Sequence, residues 1–422
     1  MVSMSEANQA VRDLATKAKD AARALRVANT AEKNAMLAKI ADELLANEQN
    51  ILDANREDVE REKAAGMSAA LIDRLLLTSQ RLADIAQAVR DVASLADPVG
   101  EIVEGRTLDN GLRLTNKRVP MGVIGMIYEA RPNVTVDAAV LALKAGNAVL
   151  LRGGSAALES NRVLVAAIRA GIDKAGFSPD LVASVDDYGR DGAVALMRAR
   201  GYVDLVIPRG GAGLIQTVIE QATVPTIETG VGNCHIYVDS AADVDRAHDV
   251  VVNAKTHRPG VCNAVETVLV HRDVAGELLP RLGKSLGEAG VTIHADAVAA
   301  ELIADAVPAT EADWETEYLA LELAVRVVDN PADAVAHIAQ YSSGHTEAII
   351  SENVATVNMF TQAVDSAVVM VNASTRFTDG GQFGLGAEIG ISTQKLHARG
   401  PMALRELTTT TWIVQGDGHV RQ

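Results

Sequence analysis

Cys262 stands in the stretch Asn253-Ala-Lys-Thr-His-Arg-Pro-Gly-Val-Cys-Asn-Ala-Val-Glu266, and it is one of two cysteines in the chain. Val244, Ala247 and Val251 recur at helical spacing and predict a helix over 244–255 leading into it. Pro259 and Gly260 break regular structure, and Glu266-Thr-Val-Leu-Val270 leads out as a strand. The thiol therefore falls on a tight helix-to-strand loop, where reactive side chains are commonly displayed. His257 and Arg258 lie close by, and positive charge favours the thiolate, which is the nucleophile. A cysteine taken alone is more often buried and inert; the loop context argues for the nucleophile here. Cys234, on a strand-like run with His235 and Val238, reads as a core residue.

Two other stretches have residues suited to anions. Leu150-Leu-Arg-Gly-Gly-Ser155 and Ile207-Pro-Arg-Gly-Gly-Ala-Gly213 each place a basic residue and small residues between a strand and a helix. Backbone N–H groups at such helix starts suit phosphates, although glycine equally serves a plain tight turn. The Gly-x-Gly-x-x-Gly that opens a helix after the first strand of a dinucleotide fold is missing, and Gly122 and Gly125 lie within a strand. Cysteine and histidine are not grouped at metal-ligand spacing.

The chain has 422 residues, enough for two to three domains with large cores. With 39 basic against 55 acidic residues the net charge is −16, which argues against a sequence-independent grip on nucleic acid or an anionic membrane. A small anionic substrate remains compatible, because it feels local charge. The first residues lack a basic segment followed by an apolar one, no apolar run is long enough to span a bilayer, and two cysteines give no disulfide framework. The expected compartment is the cytoplasm.

Residues 6–96 read as helices packed on a later sheet. Leu37, Ile40, Ala41 and Leu44 form a helical stripe, Asn29 with Glu32 resembles a capping box, and Gly66 is a stop. Runs 102–108 and 112–119 flank Asp109-Asn-Gly111, and Asn-Gly predicts a hairpin because both residues tolerate positive φ. From Met121, strands at 122–128, 148–151, 181–185, 205–207 and 225–227 alternate with helices at 134–145 and 157–174, implying βαβ units on a parallel sheet. A second alternating set follows 235–238 and runs to about Asn372. The last run, 407–415, is a solitary Thr-rich strand, expected to join the hairpin in one sheet that includes a second subunit.

Four segments in order resemble the aldehyde dehydrogenase superfamily. Glu129-Ala-Arg-Pro-Asn133 is similar to its oxyanion-hole segment, which gives Asn133 that role. Ala145-Gly-Asn-Ala-Val-Leu-Leu-Arg152 resembles the strand ending in its cofactor-ribose lysine, here Arg152. Glu228-Thr-Gly-Val-Gly232 resembles its Glu-Leu-Gly-Gly segment, and Cys262 matches the nucleophile. Cys234-His-Ile-Tyr-Val-Asp239 and Asn372-Ala-Ser-Thr-Arg-Phe-Thr-Asp-Gly-Gly381 resemble the branch that reduces an acyl phosphate in proline biosynthesis.

The resemblance implies an α/β fold of two Rossmann-like three-layer domains with a small β oligomerisation element. Residues 1–100 and 120–235 would bind NADP, 236–390 would carry the catalytic cysteine, and 101–119 with 391–422 would form the β arm. The active site is expected between the domains. The implied substrate is L-glutamate 5-phosphate: Cys262 attacks the acyl carbon and phosphate leaves. Asn133 and the Cys262 N–H hold the oxyanion, and a hydride from NADPH yields L-glutamate 5-semialdehyde. Cofactor contacts are expected from Arg152, Gly153, Ser155, Arg209, Gly210, Gly211, Glu228 and Glu317, and substrate contacts from Glu129, Arg258, Ser374, Thr375 and Arg376. Arg376 is the cation for the α-carboxylate, with a phosphate contact as its alternative, and Arg258 is the phosphate partner, unless both serve structural salt bridges. Glu228 is either a cofactor contact or, in an aldehyde-oxidising enzyme, the base that activates water. A homo-oligomer, dimer or tetramer, and an association with glutamate 5-kinase are further implied. Residues alone leave two other classes open: a Cys-His hydrolase using His257, and a non-catalytic scaffold.

Overall fold

The computed structural model describes residues 3–421. The chain forms two compact units, one ending at Glu228 and resuming at Met402, the other Thr229–Pro401. Five helices open the first unit: α1 (Met4–Val27), α2 (Thr30–Ala46), α3 (Glu48–Ala64), α4 (Ala69–Leu75) and α5 (Ser79–Ser94). The Asn29–Glu32 capping box starts α2: the Asn29 side chain accepts from the Glu32 N–H, and the Glu32 carboxylate accepts from the Asn29 N–H. Gly66, at φ +83°, follows the end of α3 in the left-handed conformation that glycine adopts without strain. The stripe Leu37, Ile40, Ala41 and Leu44 is fully buried.

That stripe does not face a sheet. It packs on α5 and on α7 (Leu158–Lys174). A Cβ on Gly171 of α7 would stand 2.6 Å from the Ile40 Cα, so glycine lets these two helices approach backbone to backbone. Of the five, α1 lies on the strands Val123–Tyr128, Ala148–Arg152 and Val182–Ser184.

The hairpin forms from β1 (Ile102–Thr107) and β2 (Arg113–Pro120). Its turn differs from the expectation. Gly111 alone takes a positive φ, +89°, while Asn110 does not. The Gly111 N–H donates to the Leu108 carbonyl and the Leu108 N–H donates to the Leu112 carbonyl, both at 2.8 Å, so the loop is a three-residue turn closed by a left-handed glycine. The C-terminal strand Thr408–Gln415 pairs antiparallel with β2 along its whole length, from Thr408 opposite Pro120 to Gln415 opposite Arg113. The solitary strand thus finds its partner far away in sequence, within its own chain.

The parallel sheet of this unit has the order β5-β4-β3-β6, formed by β3 (Val123–Tyr128), β4 (Ala148–Arg152), β5 (Val182–Ser184) and β6 (Leu205–Arg209). The intervening helices are α6 (Pro132–Lys144), α7 and α8 (Gly189–Met197), with α9 (Ala212–Gln221) after β6. β3 is buried along its entire length, as expected for a strand covered on both faces. The strand expected at 225–227 is reduced to one bridge, Thr226 with Val206.

The second unit holds a seven-stranded parallel sheet. Its order is Val307–Pro308, Thr292–Ala295, Glu322–Val328, β8 (Val265–His271), β7 (Cys234–Val238), Thr346–Ile350, Val368–Val371. Alternate strand residues feed opposite faces. Ile236, Val238, Val268 and Val270 meet α10 (Val244–Thr256) and α11 (Arg272–Glu288). Tyr237, Leu269 and Ile349 meet the helices Pro331–Tyr341 and Val354–Ala363 through Ala334, Ile338 and Phe360. This is a three-layer α/β sandwich. No described helix is long and apolar enough to cross a membrane.

Candidate active site

α10 carries the chain to Thr256, and 257–264 form the loop that presents Cys262 before β8 begins. Two buried groups bracket it. The Lys255 Nζ at the end of α10 lies 2.5 Å from the Glu266 Oε2 at the start of β8, and both side chains are fully buried. Burial pushes the Glu266 carboxyl up to about 7, with the Lys255 charge pulling the other way. Burial pushes the Lys255 amine down, against the attraction of Glu266. The pair ties the two ends of the loop together. Tyr318 adds a ring face 5.8 Å from the Lys255 nitrogen.

Gly232 backs the loop. A Cβ there would stand 1.6 Å from the Cys262 carbonyl oxygen, so only glycine permits this contact. The Gly232 N–H donates to the Glu317 carboxylate at 2.7 Å, and burial pushes that carboxyl up. Cys234, fully buried, donates its S–H to the Cys262 carbonyl at 3.2 Å. Burial holds its thiol protonated, well above the ordinary cysteine range.

Arg376 sits on a short 3-10 turn, Thr375–Phe377. The Ser374 hydroxyl accepts from the Arg376 N–H, and Thr375 is fully buried, so both hold this turn in place. The Arg376 Nε donates to the His257 Nδ1 at 3.4 Å. Burial and then the neighbouring Arg258 charge push the Arg376 guanidinium down, while Asp379 and Cys262 pull it up. Arg376 therefore interacts with the thiol, with Arg258 as its cationic neighbour. The second unit brings together Cys262, Arg258, Arg376, His257 and Glu317.

The first unit gathers the other expected residues at the C-terminal ends of β3, β4 and β6. Asn133, exposed in the first turn of α6, donates to the Asp137 carboxylate at 3.1 Å. Burial pushes Asp137 up to about 6, with Asn133 and Arg209 pulling it down. Arg152 is half-buried at the end of β4, and its Nε donates to the Gly189 carbonyl at 3.4 Å. Arg209 and Glu228 are half-buried and Ser155 is exposed.

The two helix starts expected to hold phosphates are occupied by carboxylates of the chain itself. Asp58 of α3, fully buried, accepts from the N–H groups of Glu159 and Ser160 at the start of α7. Glu129 accepts from the Gly211 N–H at 2.8 Å, at the start of α9. Gly153 donates its N–H to Asp186 at 2.7 Å, and a Cβ on Gly154 would stand 2.7 Å from the Ala130 nitrogen. These glycines serve close packing. The α7 start is closed to a phosphate, whereas Glu129 is exposed at the α9 start, where an anionic ligand competes with it. With Arg152 at the end of β4 and Arg209 at the end of β6, the two strands that flank β3, the remaining donor set fits an anionic dinucleotide.

Sequence reasoning missed the Lys255–Glu266 pair, the contact of Cys234 with Cys262, and the capping carboxylates Asp58 and Glu129. A lysine closing one apolar element and a glutamate opening the next was a usable signal for the first. The others depend on long-range placement.

A model described as the aldehyde dehydrogenase family matches residues 2–299. The chain belongs to the aldehyde dehydrogenase family, whose oxidoreductases use a nicotinamide cofactor. Within it, similar relatives include gamma-glutamyl phosphate reductases. That of Kineococcus radiotolerans is 60% identical over 417 residues, covering 98% of this chain and 96% of the relative. That of Thermobifida fusca is 56% identical, covering 99% and 100%. The crystal structure of the Thermotoga maritima gamma-glutamyl phosphate reductase matches with TM-score 0.96 at 49% identity, over 98% of this chain and 100% of that one. An acetylating aldehyde dehydrogenase from Geobacillus thermoglucosidasius, at 17% identity and TM-score 0.70 over 99% of each chain, shares the fold.

Proposed function

We propose that the protein reduces L-glutamate 5-phosphate to L-glutamate 5-semialdehyde and phosphate with NADPH, the second step of proline biosynthesis from glutamate. The observation that carries this reading is 60% and 56% identity, over nearly the whole chain, to gamma-glutamyl phosphate reductases. The Cys262 loop supports it, with the Arg376 guanidinium interacting with the thiol and Arg258 next to Arg376.

In this reading the Cys262 thiolate attacks the acyl carbon. The carbon–oxygen bond to phosphate breaks, phosphate takes the electron pair, and Cys262 carries a thioester. Asn133 and the Cys262 N–H hold the developing oxyanion. Asn133 keeps one amide proton on Asp137 and has another for the substrate. Arg258 neutralises the departing phosphate and Arg376 holds the α-carboxylate. Ser374 and Thr375 act through Arg376, whose turn they fix. The chemistry NADPH would supply when bound is a hydride to the thioester carbon; the carbon–sulfur bond then breaks, Cys262 leaves as the thiolate and glutamate 5-semialdehyde is released. The residues that would hold NADPH are Arg152, Arg209, Ser155 and Glu317, with Gly153, Gly210, Gly211 and Glu228 as further expected contacts. Arg152 suits the 2′-phosphate that distinguishes NADPH from NADH.

The test is the reverse reaction. The purified protein, given glutamate 5-semialdehyde and NADP, should form NADPH only when inorganic phosphate is present. Equal turnover without phosphate, yielding glutamate, would instead establish the aldehyde-oxidising reading with Glu228 as base.

A further inference from the structure

Beneath Cys262 lies a set of polar groups that the proposed reaction does not use. Cys234, His345, Thr346 and Thr378 are fully buried, and Asn263 is 5% exposed. They form a closed circuit. The Cys234 S–H donates to the Cys262 carbonyl at 3.2 Å. Asn263, the next residue, donates its side-chain amide to the Thr378 carbonyl at 2.7 Å. The Thr346 hydroxyl donates to the Thr378 hydroxyl at 3.0 Å. The His345 Nδ1 lies 2.8 Å from the Thr346 hydroxyl and 3.7 Å from the Cys234 sulfur. The His345 Nδ1 thus stands between the Thr346 hydroxyl and the Cys234 sulfur and completes the circuit.

Cys234 occupies the decisive position. It opens β7, a fully buried strand, and pairs with Val265 of β8, while the ladder to Thr346–Ile350 begins at the next residue, His235. Its partner atom belongs to the backbone of the residue that carries the reactive thiol. Gly232 closes off the same carbonyl from another direction. Nothing else about the position demands sulfur: an apolar side chain of similar size would fill the space equally well. What the thiol adds is a proton.

We propose that Cys234 is a positioning residue for Cys262, acting through its S–H donation to the Cys262 carbonyl. The proposal rests on the reading of Cys262 as nucleophile. The donated proton fixes the orientation of residue 262, and with it the line along which the thiolate approaches the acyl carbon. A displacement of that line is expressed in turnover rather than in substrate binding.

The experiment separates donor from shape. Cys234→Val, Cys234→Ser and Cys262→Ala are compared with the native protein in phosphate-dependent oxidation of glutamate 5-semialdehyde, with Tm recorded for each. Cys234→Val keeps the volume and loses the donor. It should lower kcat about five- to tenfold, the range of one lost hydrogen bond, and leave KM within about twofold. Cys234→Ser keeps a donor and should recover most of the loss. In both variants Cys262 is the sole thiol, so the pH profile of its alkylation by iodoacetamide reads the same contact without turnover. Serine should follow the native profile and valine depart from it. Native kcat in Cys234→Val, or serine and valine equally impaired, would overturn the proposal. Full turnover in Cys262→Ala would instead defeat the nucleophile assignment beneath it.

Discussion

Arg152 is where a single side chain decides between two cofactors. It lies at the end of β4, half-buried, and its Nε donates to the Gly189 carbonyl. Burial pushes its guanidinium down and the Arg190 charge adds to this, with Asp186 opposing. An incoming phosphate would be a better partner than that carbonyl. Arg152→Ala should raise the dissociation constant for NADPH at least about tenfold, the range of one charge-assisted bond, and change NADH far less. Titration of both cofactors by fluorescence checks this, and equal losses would mean that Arg152 does not read the 2′-phosphate. Asp137 gives a second prediction. Its folded value of about 6 lies above an unfolded carboxylate near about 3.9. A raised value favours the protonated form in the fold, so this contribution to stability is lost as pH rises through about 6. Asp137→Asn removes that loss. Its gain in Tm over the native protein should therefore grow between about pH 5 and about pH 8. A gain that shrinks over that interval would contradict the assignment.

At the scale of elements, the loop between α10 and β8 depends on the Lys255–Glu266 pair. Both charges are fully buried at 2.5 Å, and removing one leaves the other uncompensated. Lys255→Met should cost about 3–5 kcal/mol, read from denaturant unfolding. The double variant Lys255→Met/Glu266→Gln should cost less than Lys255→Met alone, because no unpaired charge remains. A single variant as stable as the native protein would show that the pair does not hold the loop ends.

Elements were legible in the sequence where short-range pattern decides. The helix before Cys262 and the strand after it follow from spacing and from Pro259-Gly260, and the α2 stripe is buried as its period requires. The pattern did not say what that stripe meets, because an apolar face fits a helix layer as well as a sheet. The turn at Asp109–Gly111 was found by its residues and misread in type, since Asn110 is compatible with either sign of φ. The helix starts of α7 and α9 look like anion sites and are; the anions come from Asp58 and Glu129. Such partners are many tens of residues distant, beyond the reach of local reading.

At the scale of the molecule, β1, β2 and Thr408–Gln415 form an antiparallel sheet whose outer strands are β1 and the C-terminal strand. Ile102 and Val103 on one, and Trp412, Ile413 and Val414 on the other, are exposed. Apolar side chains along strand edges invite pairing with another chain. We propose that this sheet joins a second subunit across a two-fold axis. Deleting residues 406–422 should give monomers or aggregates by sizing with light scattering. Full-length protein that remains monomeric at micromolar concentration would defeat the proposal.

The central claim is that Cys262 carries the substrate's acyl group. The measurement that tests it most directly is phosphate-dependent oxidation of glutamate 5-semialdehyde by Cys262→Ala, with circular dichroism confirming the fold. Cys262 is half-buried on an irregular loop, so alanine should leave the structure intact. Turnover should fall by about a thousandfold or more, the scale of losing a nucleophile. A folded Cys262→Ala protein with near-native turnover would contradict the account.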